Sequence, residues 1–225
     1  MFSHKIKKKC EIKNDFYAIP FGHRCTSAIA CKIANIRKMS LPFDWVIPLF
    51  PSKIKEILSN NFDEFIPDVP RNYFNKYSVG FAHFNTDIST GIEEYKRRIS
   101  RFNKIISEKK QFYFVYINED YLYNEEYRSG TLNKIFNEIL DLEKFLKLKY
   151  QGIDFNILYF DFKDHIVPTG SNIINVVLHT DKLYNDEKDC FGPILISFRD
   201  YCGKILASLF NTTTSSFEYK DSEFY

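Results

Sequence analysis

Apolar residues recur every third or fourth position in some stretches of the chain and run together in short blocks in others. These two patterns alternate from end to end. Residues 16–21 form an apolar block that stops at Gly22, as a strand running into a tight turn does. From Cys25 the helical period takes over: Cys25, Ile29, Ile33 and Ile36 share one face. This predicts a helix with Cys25 in its first turn, ended by Pro42 in "MSLPFDW". A short helix is predicted over 51–59, with Pro51 at a tolerated first-turn position. "YSVGFAHF" (77–84) reads as a strand with His83 near its end, and 92–107 as a helix repeating Tyr95, Ile99, Phe102 and Ile106. "QFYFVYI" (111–117) has the near-continuous apolar character of a strand covered on both faces. Residues 132–148 give the clearest amphipathic helix, followed by the strands "IDFNILYF" and "INVVLHT" and a last helix, "ILISFRDYCGKILASLF", open to interruption at Gly203.

Strand and helix in alternation predict an α/β fold: a single three-layer domain over 1–225, with a central, mostly parallel sheet between helices. A chain of 225 residues is long enough for one well-buried core. Residues 1–13 and 211–225 read as flexible tails. Ligands of such sheets gather at the carboxyl ends of strands, and the junctions at Gly22–Cys25 and at His83 are of that kind.

Composition narrows the class. A hydrophobic share of 44% excludes a disordered chain, and no run approaches the roughly 18 apolar residues that span a bilayer. With 31 basic against 29 acidic residues, only "HKIKKK" (4–9) is concentrated, and it reads as a solvated tail; nucleic acid and membrane are not expected partners. No apolar leader follows the N-terminal charges, so a cytoplasmic location is expected. The 5 cysteines are odd in number and lack Cys-x-x-Cys spacing, which argues against a disulfide framework and a zinc ribbon. No metal and no cofactor are expected.

The candidate chemistry centres on "FGHRCTSAIACKIANIRKMSLPFDW" (21–45). A helix N-terminus favours a thiolate, so Cys25 is placed to be a nucleophile, and the N–H groups after the Gly22 turn to stabilise an oxyanion. Alternatively, Cys25 is a small buried residue. His23 reads as a turn residue or ligand contact. His83 is either the general base, meeting Cys25 from another strand end, or a structural histidine; His179 is the reserve base, and His165 lies in a polar loop. Asp44 either caps a turn or fixes the tautomer of a histidine. Trp45 and Phe43 read as core anchors. Arg98 and Arg101 either reach an acidic substrate group or pair with carboxylates at the edge of the core.

Gly22, Cys25, Ala28, Arg37, Ser40 and "PFDW", followed by the histidine of "GFAHF" and the helix "YKRRISRF", resemble the family described as putative papain-like cysteine peptidases, found in bacteria and large DNA viruses. The resemblance runs from about Asn14 to Asn118. It implies Cys25 as nucleophile, His83 as base and Asp44 as acidic partner; the candidate substrate contacts Gly22, His23, Arg98 and Arg101 come from the residues themselves. It also implies a papain-like α+β fold, helices on an antiparallel barrel-like sheet, where the alternation favours a parallel one. The expected function is a cysteine-dependent hydrolase acting on a peptide, isopeptide or related acyl bond, in the host cytoplasm if the chain is viral. The alternatives are a non-catalytic protein-interaction module, viral in origin, and a glycan- or nucleotide-sugar-handling enzyme, which the lack of a Gly-rich phosphate loop disfavours.

Overall fold

The computed structural model describes residues 2–7, 12, 15–67, 74–81, 83–85, 87–108, 110–122, 132–181 and 192–216. Cys10 and Cys190 lie outside them, as do 217–225 of the expected C-terminal tail. The elements in chain order are β1 (Phe2–Ile6), β2 (Phe16–Pro20), α1 (Thr26–Ile33), α2 (Pro51–Ser59), α3 (Ile88–Ile106), β3 (Gln111–Ile117), α4 (Leu132–Lys149), β4 (Asp154–Asp161), β5 (Ile173–Thr180) and α5 (Pro193–Phe210), with one turn of 3-10 helix at Asp120–Leu122. The five strands form one sheet in the order β1-β5-β4-β3-β2, parallel except for β1, which pairs antiparallel with β5.

Period-two alternation sorts the strand residues onto two faces. Tyr17, Ile19, Phe112, Phe114, Tyr116, Ile157 and Tyr159 pack on one side against α2, α3 and α4. Phe16, Ala18, Tyr113, Val115, Ile117, Leu158 and Phe160 pack on the other against α1 and α5. The fold is therefore α/β in three layers. The sheet is parallel, not the antiparallel barrel-like sheet of the papain-like alternative. α1, which follows β2, packs on one face of the sheet and α4, the next helix after β3, on the other, so the carboxyl ends of these two neighbouring strands form a topological switch point.

Several expectations are corrected. Phe2–Ile6 is an edge strand rather than part of a tail, because its backbone completes the β5 ladder. Residues 211–216 are fastened to the end of α1: Thr212 Oγ1 donates to the Ala34 carbonyl at 2.6 Å and Asn35 Nδ2 to that of Thr213 at 2.7 Å. Helix α1 ends at Ile33, before Pro42, because Asn35 adopts the left-handed conformation at φ 55°. Residues 77–84 are not a sheet strand; Gly80 makes only isolated bridges to Ile47 and Phe74. Helix α3 begins earlier than its apolar period, at Ile88, because Asp87 Oδ1 accepts from the Thr90 amide at 2.7 Å. Gly203 does not interrupt α5. A Cβ there would fall 2.5 Å from Ile33 Cγ2, so the glycine lets α5 lie close against α1.

Candidate active site

The turn from β2 into α1 is folded back onto the end of β3. Phe21 N extends the ladder to the Val115 carbonyl at 2.8 Å, and Ser27 Oγ accepts from Ile117 N at 3.1 Å. This leaves no room for a side chain at position 22, where a Cβ would lie 2.0 Å from Ser27 Oγ. Gly22 thus shapes the turn through a contact with Ser27. Cys25 is the N-cap residue of α1 (φ −62°, ψ −10°); its carbonyl accepts from Ile29 N at 2.9 Å, and no side chain caps the first turn.

The Cys25 side chain is half-buried, packed with Trp45 against Ile29 and Ile33. Arg199 reaches it from α5: Nη2 stands 3.8 Å from Sγ, and Nε donates to Thr26 Oγ1 at 3.0 Å. The Thr26 hydroxyl in turn donates to Glu119 Oε2, and Arg24 Nε lies 3.4 Å from Glu119 Oε1. Burial pushes the Cys25 thiol up; the Arg199 charge opposes it, Glu119 adds to it, and Arg24 opposes it less. The helix-terminus argument anticipated a lowered value, but desolvation outweighs the backbone contribution.

His23 is buried, its ring edge on Phe50 at 4.6 Å and its Nε2 3.1 Å from Asp120 Oδ2. Burial, and then the Arg24 charge, hold His23 down to about 3; burial, and then Glu119, lift Asp120 to about 7. The two neutral forms are favoured together, and among the described residues His23 Nδ1 has no hydrogen-bond partner.

His83 stands in a loop, its ring edge-on to Trp45 at 5.3 Å. That loop is held by the Ile47–Gly80 bridge, whose Ile47 amide donates to the Gly80 carbonyl at 2.9 Å. Trp45 therefore touches His83 and shares the Ile29–Ile33 patch with Cys25. Asp44 is fully buried and bonded to no histidine: its Oδ2 accepts from Arg37 Nε at 3.0 Å, from Arg37 Nη2, and from Leu41 N at 3.0 Å. Arg37 also lies over the Trp45 ring at 5.5 Å. Burial raises the Asp44 carboxyl, and Arg37 is the strongest influence against that.

Arg98 stacks on the Tyr95 ring at 4.6 Å, with Glu94 3.9 Å away. Among the described residues Asp44 Oδ1, Tyr95 Oη and Arg98 Nη1 are buried without hydrogen-bond partners. Arg101 is exposed, beside Tyr17, Met39 and Glu108. His179 is exposed on β5, with β3 and β4 between it and the strand that leads to Cys25. His165 Nε2 meets Asp161 Oδ2 at 2.7 Å, and Asp161 also accepts from Tyr159 Oη at 2.6 Å and Asn118 Nδ2 at 3.2 Å.

Residues 17–73 match the model of a family described as "Putative papain-like cysteine peptidase". The match contains Gly22, Cys25, Asp44 and Trp45, and stops before His83, Glu119 and Arg199. Neither a curated protein nor a solved structure matches the chain. Among the described residues no three His, Cys, Asp or Glu side chains are grouped to hold a metal ion, and no helix is long and apolar enough to cross a membrane.

Sequence reasoning missed Glu119, Asp120 and Arg199. Each carried a signal. The polar triplet "NED" (118–120) directly follows the apolar block of β3, where a chain at a sheet edge meets ligand or solvent. Arg199 sits at a position of α5 whose neighbours Leu195, Phe198, Cys202 and Leu206 are buried, and an arginine on such a face requires a partner.

Proposed function

We propose that this chain is a cysteine-dependent hydrolase acting on an amide or related acyl bond, with Cys25 as the nucleophile and His83 as the base. The observation that carries the reading is the position of Cys25. It is a half-buried thiol at the uncapped start of α1, at the carboxyl end of a sheet strand, inside the segment that matches the peptidase family. The thiol proton passes to a His83 ring nitrogen, and the sulfur forms a bond to the carbonyl carbon. The resulting oxyanion takes hydrogen bonds from first-turn N–H groups of α1. The C–N bond then breaks, the leaving amine takes the proton from His83, and water hydrolyses the thioester to free the thiol. Trp45 aligns the His83 ring, and Asp44 acts at one remove as a positioning residue by holding Arg37 over that indole. Gly22 and His23 shape the turn beside the reacting carbonyl; Arg98 and Arg101 meet acidic groups of the substrate farther along.

The test is covalent capture with a peptide vinyl sulfone. We expect the adduct on Cys25, none in Cys25→Ala, and labelling slowed by about 100-fold or more in His83→Ala, the range for loss of a general base. A folded wild-type chain that neither takes the probe nor cleaves peptide or ester substrates would overturn the reading. It would favour a protein-interaction module instead.

A further inference from the structure

We propose that the exposed face of α3 and the cleft beside it form a docking surface for an extended acidic segment of a protein partner, held by Arg97, Arg101 and Lys104. The surface does not rest on the chemistry of Cys25. The cleft lies at the amino ends of β2 and β3, with Tyr17 near the start of one strand and Glu108 just before the other. The length of β2, about 16 Å, separates it from the turn that carries Cys25.

Charge is the first observation. Between Tyr95 and Ser107, α3 bears Lys96, Arg97, Arg98, Arg101 and Lys104 and no acidic residue. Lys96 and Arg98 meet Glu93 and Glu94 of the preceding turn at 2.8 and 3.9 Å, and Arg97 also acts on Glu93. Arg101 and Lys104 are exposed, and neither makes an ion pair with another described residue. A helix dipole favours cations in the last turn, which accounts for Lys104 but not for Arg97 and Arg101. Shape is the second. Arg101 and Lys104 share the lining of a cleft of about 460 Å³ with Met39, Ser40 and the buried Tyr17 and Ile105, so unmatched cations stand beside apolar surface. Glu108 also lines it, but the Tyr17 hydroxyl donates to Glu108 at 2.9 Å and Lys110 lies 3.4 Å away. Spacing is the third. The helix rises about 6 Å from Arg97 to Arg101 and about 4.5 Å from there to Lys104, so the three cations line one face within about 10 Å. Carboxylates at alternate positions of an extended peptide recur about every 6.7 Å, within reach of these side chains, and the residues between them turn to Met39 and Ser40. A phosphate backbone fits less well, because its unbroken line of charge would face Glu108, where a peptide can set a neutral residue.

The test is fluorescence anisotropy of the full chain with a fluorescein-tagged peptide of Glu-Leu repeats, compared with its Gln-Leu counterpart and with an oligothymidylate of equal charge. We expect the Glu-Leu peptide to bind about tenfold or more tightly than the Gln-Leu peptide, and added salt to narrow the difference. Arg101→Glu combined with Lys104→Glu turns two attractions into repulsions and should weaken the Glu-Leu peptide by about tenfold. The same change of charge at Lys55 and Lys144, exposed on α2 and α4, should leave its affinity within about twofold. Equal affinity for the two peptides overturns the proposal, as does a folded Arg101 and Lys104 double variant that binds like wild type, or an equal loss in the Lys55 and Lys144 control. Tighter binding of the oligothymidylate overturns it in favour of a nucleic acid. If circular dichroism shows that the double reversal does not fold, Arg101→Gln with Lys104→Gln decides: a loss of about threefold or more supports the proposal, and an unchanged affinity overturns it. The assay runs equally well in Cys25→Ala, so the hydrolase reading can fail while the docking surface stands, or the reverse.

Discussion

Gly203→Ala tests the helix contact on which the site depends. The new Cβ would lie 2.5 Å from Ile33 Cγ2 and 2.7 Å from Ile33 Cβ, against about 3.5–4.0 Å for an ordinary carbon contact. Rotating the Ile33 side chain moves Cγ2 but leaves Cβ, so α1 itself must retreat by roughly 1 Å. Overpacking of this kind costs about 1–3 kcal/mol, and alanine returns about 1 kcal/mol through its better helix propensity. The expected net loss is about 0–2 kcal/mol, read as a lower urea midpoint at unchanged slope. Gly91→Ala is the control: there the obstacle is the ring edge of half-buried Phe84, 2.6 Å away, which can swing aside, so that substitution should be close to neutral. Arg199 lies four residues before Gly203 on the same face of α5 and touches the start of α1. Moving α1 should therefore also slow alkylation of Cys25. A Gly203→Ala chain as stable as wild type, with Cys25 equally reactive, would refute the close-contact reading.

The buried pair of His23 and Asp120 sets a pH dependence. Asp120 has a folded pKa of about 7, raised from its ordinary value, so its contribution to stability is complete below that ordinary value and is lost as pH rises through about 7. His23, held down to about 3, contributes with the opposite slope: its share is lost as pH falls below its ordinary value toward 3. Asp120→Asn should therefore flatten the loss of stability between about pH 4 and 7 in thermal unfolding, and an unchanged slope would show that the carboxyl is solvated. Trp45→Ala should cost about 2–3 kcal/mol in urea unfolding, below the 3–5 kcal/mol range for fully buried aromatics because this indole is only half-buried; no loss of stability would mark Trp45 as a surface platform.

The layers of the fold were legible because strands covered on both faces and helices covered on one leave different periodicities. The 111–117 block and the 132–149 helix stand almost where the pattern put them. Residues 77–84 misled for a physical reason. Val79 and Phe81 are buried among aromatic side chains of α3 and its neighbours, so their apolar alternation reflects loop burial and not a ladder. The N-terminal strand misled in the other direction. As an edge strand against β5 it shows solvent the side chains Ser3, His4 and Lys5, and a charged edge reads in sequence like a tail.

The site was legible only where it is local. Gly22, Cys25 and the turn between them lie within four consecutive residues, and the structural demand on each comes from that same turn. Asp44 shows the next level of difficulty. Both sequence readings, turn cap and histidine partner, overlooked Arg37, seven residues earlier, because α1 ends at Ile33 and the chain then turns back on itself. The Asp44 side chain does accept from a backbone amide, that of Leu41, but this lies three residues before it and not in the next turn. Arg199 is farthest out of reach, 174 residues from Cys25 along the chain. Its place beside the thiol follows from α5 lying along α1, with Arg199 against Thr26 at one end and Gly203 against Ile33 at the other. After α5, Thr212 and Ser215 reach back to the Ala34 and Ile33 carbonyls and close the far end of α1. The helix that carries the candidate nucleophile is thus held at both ends by the last helix and its extension. The placement of Cys25 at the start of α1 is therefore supported by a part of the chain beyond the 17–73 segment that matches the peptidase family.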